Sequence, residues 1–214
     1  MIKIENVDIY GWEAAIRGMR NPLNSWKNSD SEFCVSELTG KTTVNIGNND
    51  IDLMRKLSKA GTDHAKYLRM INVTADITAP LYWYKEYDTY KVGTVANSCS
   101  TMHKIHSKEF TLGDFSCEHL VGTDLIVFKH IIDGLNSNRT IFNSLNDKEA
   151  WYRMIQLLPS SYNQKRTVQL NYQVLKNMYH ARKNHKLDEW REFCGWIESL
   201  PHSELITGVG KDAE

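Results

Sequence analysis

The run LPSSYNQKRTVQLNYQVLKNMYHARKNHKLDEWREF, residues 158–193, decides the fold. Residues 166–175 open polar and run into a helix that ends near Arg182. Asp188 to Leu200 reads as a last amphipathic helix, with Trp190, Phe193, Trp196 and Ile197 on one stripe. An arginine at a helix C-terminus is favoured by the helix dipole. Its planar fork also suits a uracil or phosphate oxygen. The plain alternative is that Arg182 only caps its helix and Asn171 only caps a start. Asn171, Asn177 and Arg182 are expected on one helix, at steps that do not share a face.

Upstream, residues 1–10 alternate as a strand and Trp12 to Met19 reads as a helix. Asn21 to Asp30 is a polar loop around Pro22, and Phe33 to Asn45 suggests a strand or hairpin. Asn49-Asp50 is expected to cap a helix over Ile51–Ala60 that Gly61 ends. Tyr67 to Thr78 is β-branched and alternating, so it predicts a strand. Pro80 opens a helical run to Thr89, and helices follow over Asp124–Leu135 and Lys148–Leu157. Residues 94–106 and 113–122 read as loops. The last residues, TGVGKDAE, read as frayed, and Gly208-Val209-Gly210 lacks the strand and helix of a dinucleotide fingerprint.

The chain of 214 residues is long enough to bury a core without staples. Its 26 basic residues equal its 26 acidic ones, which argues against a broad nucleic-acid or membrane surface. A small anionic ligand needs only two or three placed cations and stays open. No apolar run is long enough for a transmembrane helix, and the start does not read as a signal peptide. Cys34, Cys99, Cys117 and Cys194 form no CxxC and are expected as reduced thiols in a cytoplasm.

The second informative stretch is DHAKYLRMINVTADITAPLYWYKEYDTYKVGTVANSCSTMHK, residues 63–104. Thr94, Asn97, Ser98, Ser100 and Thr101 make a dense hydroxyl and amide loop. Such a loop suits phosphates and sugars, and it equally suits plain solvent. Tyr82, Trp83, Tyr84, Tyr87 and Tyr90 have faces on which a base stacks, although such aromatics are more often core, as Trp83 is read. His103 with His106, and His180 with His185, lack a clear third ligand for a metal, so no metal is expected. Cys99 is a nucleophile candidate without an identifiable base.

Both stretches resemble the flavin-dependent thymidylate synthases. Leu158-Pro159, Tyr162, Asn171, Leu175, Asn177 and Arg182 fall at that family's spacing without a gap, and Glu189 and Arg191 follow after a one-residue shift. His64 and Ala79-Pro80 also sit where its pattern asks. The family's Arg-His-Arg segment, however, reads Thr89-Tyr90-Lys91 here. Thr94, Asn97 and Ser100 take the following Ser, Asn and Ser places, and the last Arg falls on Met102. Glu86 stands for the usual Gln, and Arg69 for the Glu after the Gly-His loop.

The resemblance implies an α/β (α+β) fold, with a mixed sheet flanked by helices and sites between subunits of a homotetramer. It implies FAD, a folate one-carbon donor and dUMP, for methylation to dTMP. Arg182 would be catalytic and touch substrate, while His64, Lys91, Asn171 and Asn177 would hold the cofactor. Glu86, Asn97, Ser98, Ser100 and His103 would hold the nucleotide, with His103 and Lys104 standing in as cations. Residues 1–205 would be one such domain, and 206–214 a tail. The alternative is a binding or sequestering protein, for example phage-encoded, that kept the fold and lost the flavin chemistry. A third reading is a structural or interaction protein in which the polar loop and Arg182 bind nothing.

Overall fold

The computed structural model describes residues 2–35, 40 and 42–208. Val209 and Gly210, and the tail from 209 onward, lie outside the described residues. So do parts of the expected Phe33–Asn45 segment.

Strand β1 covers Lys3–Tyr10, and helix α1 covers Trp12–Arg20. Gly11 joins them at φ 94°, where a Cβ would overlap the Met70 carbonyl oxygen, so glycine alone fits. The expected loop after α1 holds two short 3-10 turns, Asn21–Leu23 and Trp26–Asn28. Strands β2 (Glu32–Val35) and β3 (Thr42–Asn45) pair antiparallel as a two-stranded ribbon.

Helix α2 spans Asn48–Lys59. Its N-cap is Gly47, so the expected Asn49-Asp50 cap is corrected: Asp50 lies inside the first turn, fully buried. There Asp50 accepts Arg20 Nε at 2.6 Å and the Ser29 and Ser31 hydroxyls at 2.7 Å each. A buried carboxylate needs such partners. Burial opposes its ionisation, yet the bonds from Ser31, Ser29 and Arg20, with the Arg20 charge, hold its carboxyl below the usual range.

The expected strand from Tyr67 starts later. Ala65–Arg69 is a 3-10 turn, and β4 runs Asn72–Pro80. Tyr67 and Leu68 are buried by that turn, so their apolar character serves core packing and not a sheet. Helix α3 is Leu81–Tyr87, and a short strand β5, Val95–Ser98, occupies part of the expected polar loop. Helix α4 covers Gly122–Leu145, ten residues beyond the expected end at Leu135. Helix α5 is Lys148–Leu157, as expected.

Strand β6, Asn163–Asn171, departs from the sequence pattern, which reads as a polar lead-in to a helix. Its burial alternates only partly, and Lys165, Arg166 and Thr167 hide the period of two. Helices α6 (Tyr172–Arg182), α7 (Asp188–Ser199) and α8 (Glu204–Thr207) complete the described chain. Ile206, expected in the tail, is buried within α8.

The four-stranded sheet has the order β1-β4-β6-β5. Strands β4 and β6 are antiparallel, because Tyr172 N–H bonds Ile71 O, Thr167 bonds Asp76, and Leu81 N–H bonds Tyr162 O, with one number falling as the other rises. The result is an α/β fold of helices with a sheet.

Two compact units are distinguished. The first holds residues 1–5, 76–89 and 96–167. Its core joins Ile105, Phe110, Phe115, Phe128, Leu135 and Met154 under α4 and α5. The second holds residues 6–75, 90–95 and 168–214. Trp12, Ile16, Met54, Leu175, Trp190 and Phe193 are buried in it. Among the described residues, no helix is long and apolar enough to cross a membrane. All four cysteines are free thiols.

Candidate functional site

The second unit contains Arg182, Asn171, Asn177, Lys91 and His64. Asn171 is the last residue of β6 and the N-cap of α6, which corrects its expected place within a helix. Its side-chain oxygen accepts the Val174 N–H at 3.0 Å. Asparagine suits that role because its short amide reaches the orphan donors of the first turn. The capping alternative for Asn171 therefore holds, and its Nδ2 remains the group open to further bonding.

The segment 90–95 runs over this helix start. Gly93 has φ 81°, and a Cβ there would stand 3.2 Å from Asn171 Nδ2 and 3.2 Å from Val174 Cγ2. Thr94 Oγ1 donates to the Tyr90 carbonyl at 2.6 Å and closes the turn. Tyr90 then meets the other end of α6: Arg182 Nε donates to its hydroxyl at 3.1 Å. The guanidinium carbon lies 5.0 Å from the Trp190 ring centre and 5.7 Å from that of Tyr90. A cation over aromatic faces is held by their quadrupoles. Arg182 thus keeps a fixed plane between α6 and α7, and Lys91, next to Tyr90 in sequence, is exposed.

Asn177 is exposed on α6 and accepts Gln173 Nε2 at 3.0 Å. Gln173 is itself buried, and its Oε1 has no partner among the described residues. Sequence reasoning passed over Gln173, and only its place between Asn171 and Asn177 signalled it. His64 is exposed ahead of the Ala65–Arg69 turn, with its N–H on Gly61 O. The structure therefore brings Lys91, Asn171 and Arg182 to one helix through a single loop. His64 is the N-cap of the Ala65–Arg69 turn, which packs against α6.

The first unit contains Glu86, Asn97, Ser98, Ser100 and His103. Asn97 and Ser98 are exposed on β5. Ser100 Oγ accepts the Met102 and His103 N–H groups at 3.1 and 2.9 Å, so it shapes the turn that presents His103. The Met102 carbonyl accepts Trp151 Nε1 at 3.0 Å, which ties that turn to α5. Glu86 is half-buried on α3, and its carbonyl accepts the Thr89 hydroxyl at 2.7 Å. Cys99 is fixed by its backbone, with N–H on Lys165 O at 2.9 Å and its carbonyl accepting Gln164 Nε2 at 2.7 Å. The residue is exposed, with a free thiol.

Three of the candidate aromatics are core. Trp83, Tyr84 and Tyr87 are buried against one another, with ring centres 5.1 to 5.9 Å apart. Burial pushes the Tyr84 hydroxyl up, although the Arg166 guanidinium, 3.7 Å over its ring, pulls the other way. Arg166 also donates to Gln164 at 2.9 Å and to Asp88 at 2.7 Å. That chain fixes the end of α3 and leaves these rings no face for a base.

No family model matches the sequence, and no curated protein matches it. Solved structures do. Thymidylate synthase X from Helicobacter pylori, with FAD and dUMP, is similar at a TM-score of 0.69 and 16% identity, over 97% of each chain. A second structure, flavin-dependent thymidylate synthase from Helicobacter pylori complexed with FAD and dUMP, is similar at 0.68 and 16%, over 96% of this chain and 97% of that one. The present chain therefore has, along nearly its whole length, the fold of the flavin-dependent thymidylate synthases.

Proposed function

We propose that this chain is a divergent member of that fold which binds a pyrimidine nucleotide of the dUMP type, with Arg182 as its principal contact. The observation that carries the reading is the Arg182 guanidinium, held in plane by Tyr90 and Trp190 at the end of α6. A planar fork pre-set in this way loses little freedom when it meets a phosphate or a uracil carbonyl. Lys91 adds a mobile charge, and Asn171 Nδ2 and Asn177 add neutral donors. Glu86, Asn97, Ser98, Ser100 and His103 keep the nucleotide role that the resemblance implies. The setting is cytoplasmic, and the chain self-associates as the homotetramer that the resemblance implies.

The residues at the signature segment do not fit a flavin clamped in the family's manner. The Thr89 hydroxyl donates to the Glu86 carbonyl, and the Tyr90 hydroxyl accepts from Arg182 Nε. Of the three, Lys91 alone carries charge. This supports a nucleotide-binding protein that kept the pocket and lost the flavin chemistry. A second reading is methylation of dUMP to dTMP with FAD and a folate donor. It is favoured by the two similar structures, both of which contain FAD and dUMP.

Calorimetry with dUMP, on wild type and Arg182→Ala, tests the first reading. Binding that the substitution abolishes is the expected result, and absence of binding by wild type overturns it. The visible spectrum after soaking with FAD separates the second reading. A colourless protein that binds dUMP excludes it.

A further inference from the structure

We infer that Gln173 is a positioning residue that turns the Asn177 amide outward as a hydrogen-bond donor, and so sets a preference for uracil over cytosine. The two residues lie about one turn apart on α6, with Gln173 only 6% exposed and Asn177 exposed. Gln173 Nε2 donates to Asn177 Oδ1 at 3.0 Å. An asparagine amide has one acceptor end and one donor end. With Oδ1 held inward by Gln173, Nδ2 is the end left to face out. Among the described residues, that Nδ2 has no protein partner.

Stability does not explain Gln173. Its Oε1 is buried and has no partner among the described residues. A buried acceptor left unmatched loses its bonds to water and gains none in return, so it opposes folding. One bond to an exposed amide offsets that only in part. A methionine of similar length would fill the same space without the orphan oxygen. The polar neighbours of Gln173 are bonded elsewhere. Asn171 Oδ1 accepts the Val174 N–H at 3.0 Å, and Lys176 Nζ donates to the Ser58 carbonyl and hydroxyl at 2.7 and 2.8 Å. Asn177 is the side chain that Gln173 acts on.

The inference rests on the nucleotide reading above and deepens it. At about 100° per residue, Asn177 and Arg182 stand about 140° apart around α6, so they meet different parts of one ligand. A guanidinium suits the phosphate, and an uncharged amide suits the edge of the base. Uracil presents a carbonyl oxygen at C4 and cytosine an amino group, so the same position accepts in one base and donates in the other. A fixed Nδ2 bonds the uracil oxygen, and meets the cytosine amino group donor to donor. Without Gln173 the Asn177 amide is free to turn, and offers either end to either base. The selectivity therefore comes from the bond behind Asn177, through the mismatch it imposes on cytosine.

Calorimetry of the full chain with dUMP and with dCMP tests it, on wild type, Gln173→Met and Asn177→Asp, with the thermal midpoint read for each. Wild type is expected to bind dUMP at least about tenfold more tightly than dCMP. Gln173→Met is expected to narrow that ratio to about threefold or less, with a midpoint unchanged or raised. A merely structural role would lower the midpoint and leave the ratio alone. Asn177→Asp keeps an oxygen for Gln173 Nε2 and turns a second oxygen outward, so the ratio is expected to reverse in favour of dCMP. Its added charge repels the phosphate of both ligands alike, so the ratio is the quantity read. Absence of dUMP binding by wild type overturns the nucleotide reading and this inference with it. A wild type that binds dUMP without preferring it to dCMP overturns this inference alone. So does a ratio that Gln173→Met leaves unchanged. If that variant fails to fold, Asn177→Asp decides: a fall for both nucleotides with the ratio kept puts Asn177 against phosphate or sugar and overturns the inference.

Discussion

Arg182 and Tyr90 are joined end to side: the Arg182 Nε donates to the Tyr90 hydroxyl at 3.1 Å, across 92 positions of chain. The tyrosine occupies the middle of a segment that the family fills with cations. It therefore orients the arginine where a cation would repel it. Tyr90→Phe removes one hydrogen bond and leaves the ring. A bond to a charged group contributes about 1.5 kcal/mol or more, so dUMP affinity should fall about tenfold by calorimetry. Arg182→Lys should cost more, because a point charge cannot replace the fork. Equal affinities for wild type and Tyr90→Phe would show that the tyrosine orients nothing that matters to binding.

Gly93→Ala should cost both stability and binding. Its φ of 81° is costly for any residue with a Cβ, and that Cβ would stand 3.2 Å from Asn171 and Val174. The conformational part is about 1–2 kcal/mol. Chemical denaturation reads the stability loss, and a titration with dUMP reads the displacement of Lys91. A variant as stable as wild type contradicts the tight approach.

Asn171→Ala removes the cap of α6, at a cost of about 1 kcal/mol, and Asn171→Asp restores the cap. The two variants separate capping from ligand binding. Aspartate keeps stability, but it offers no Nδ2 donor and adds a negative charge. Its dUMP affinity should therefore fall while its thermal midpoint holds.

Asp50→Asn leaves Arg20 buried with a neutral partner, and should destabilise the protein by roughly 3–5 kcal/mol, the range for breaking a buried pair. The pH dependence follows from the sign of the shift. The folded carboxyl sits below its unfolded value of about 4, so its stabilisation is complete above that value. It is lost as pH falls through the folded value. Urea midpoints measured from neutral pH downward should therefore drop in acid for wild type, and drop less for Asp50→Asn.

Amphipathic helices were legible wherever their periods were long. Of the stripe Trp190, Phe193, Trp196 and Ile197 on α7, three are buried as the spacing demands and Trp196 is half-buried. The strand β6 was not, because Lys165 and Arg166 pair with Asp76 and Asp88 and so read as polar surface. Helix α4 continues past the expected end at Leu135, through the polar run Asn136, Ser137 and Asn138. Asn136 brackets the Phe110 backbone, and Ser137 and Asn138 bond carbonyls one turn back. The spacing places Arg182 at the end of its helix, and α6 does end there. Its dependence on Tyr90 was not legible, since no local pattern links residues so far apart in sequence.

Trp190 offers a practical handle. Its indole faces the Arg182 guanidinium at 5.0 Å, and indole emission responds to a neighbouring positive charge. If a ligand draws that charge away from the ring, the fluorescence will register it without any label. The protein has six tryptophans, and the difference between wild type and Trp190→Phe isolates the one that matters. The chain thus carries its own optical reporter, placed beside the arginine that a nucleotide would meet.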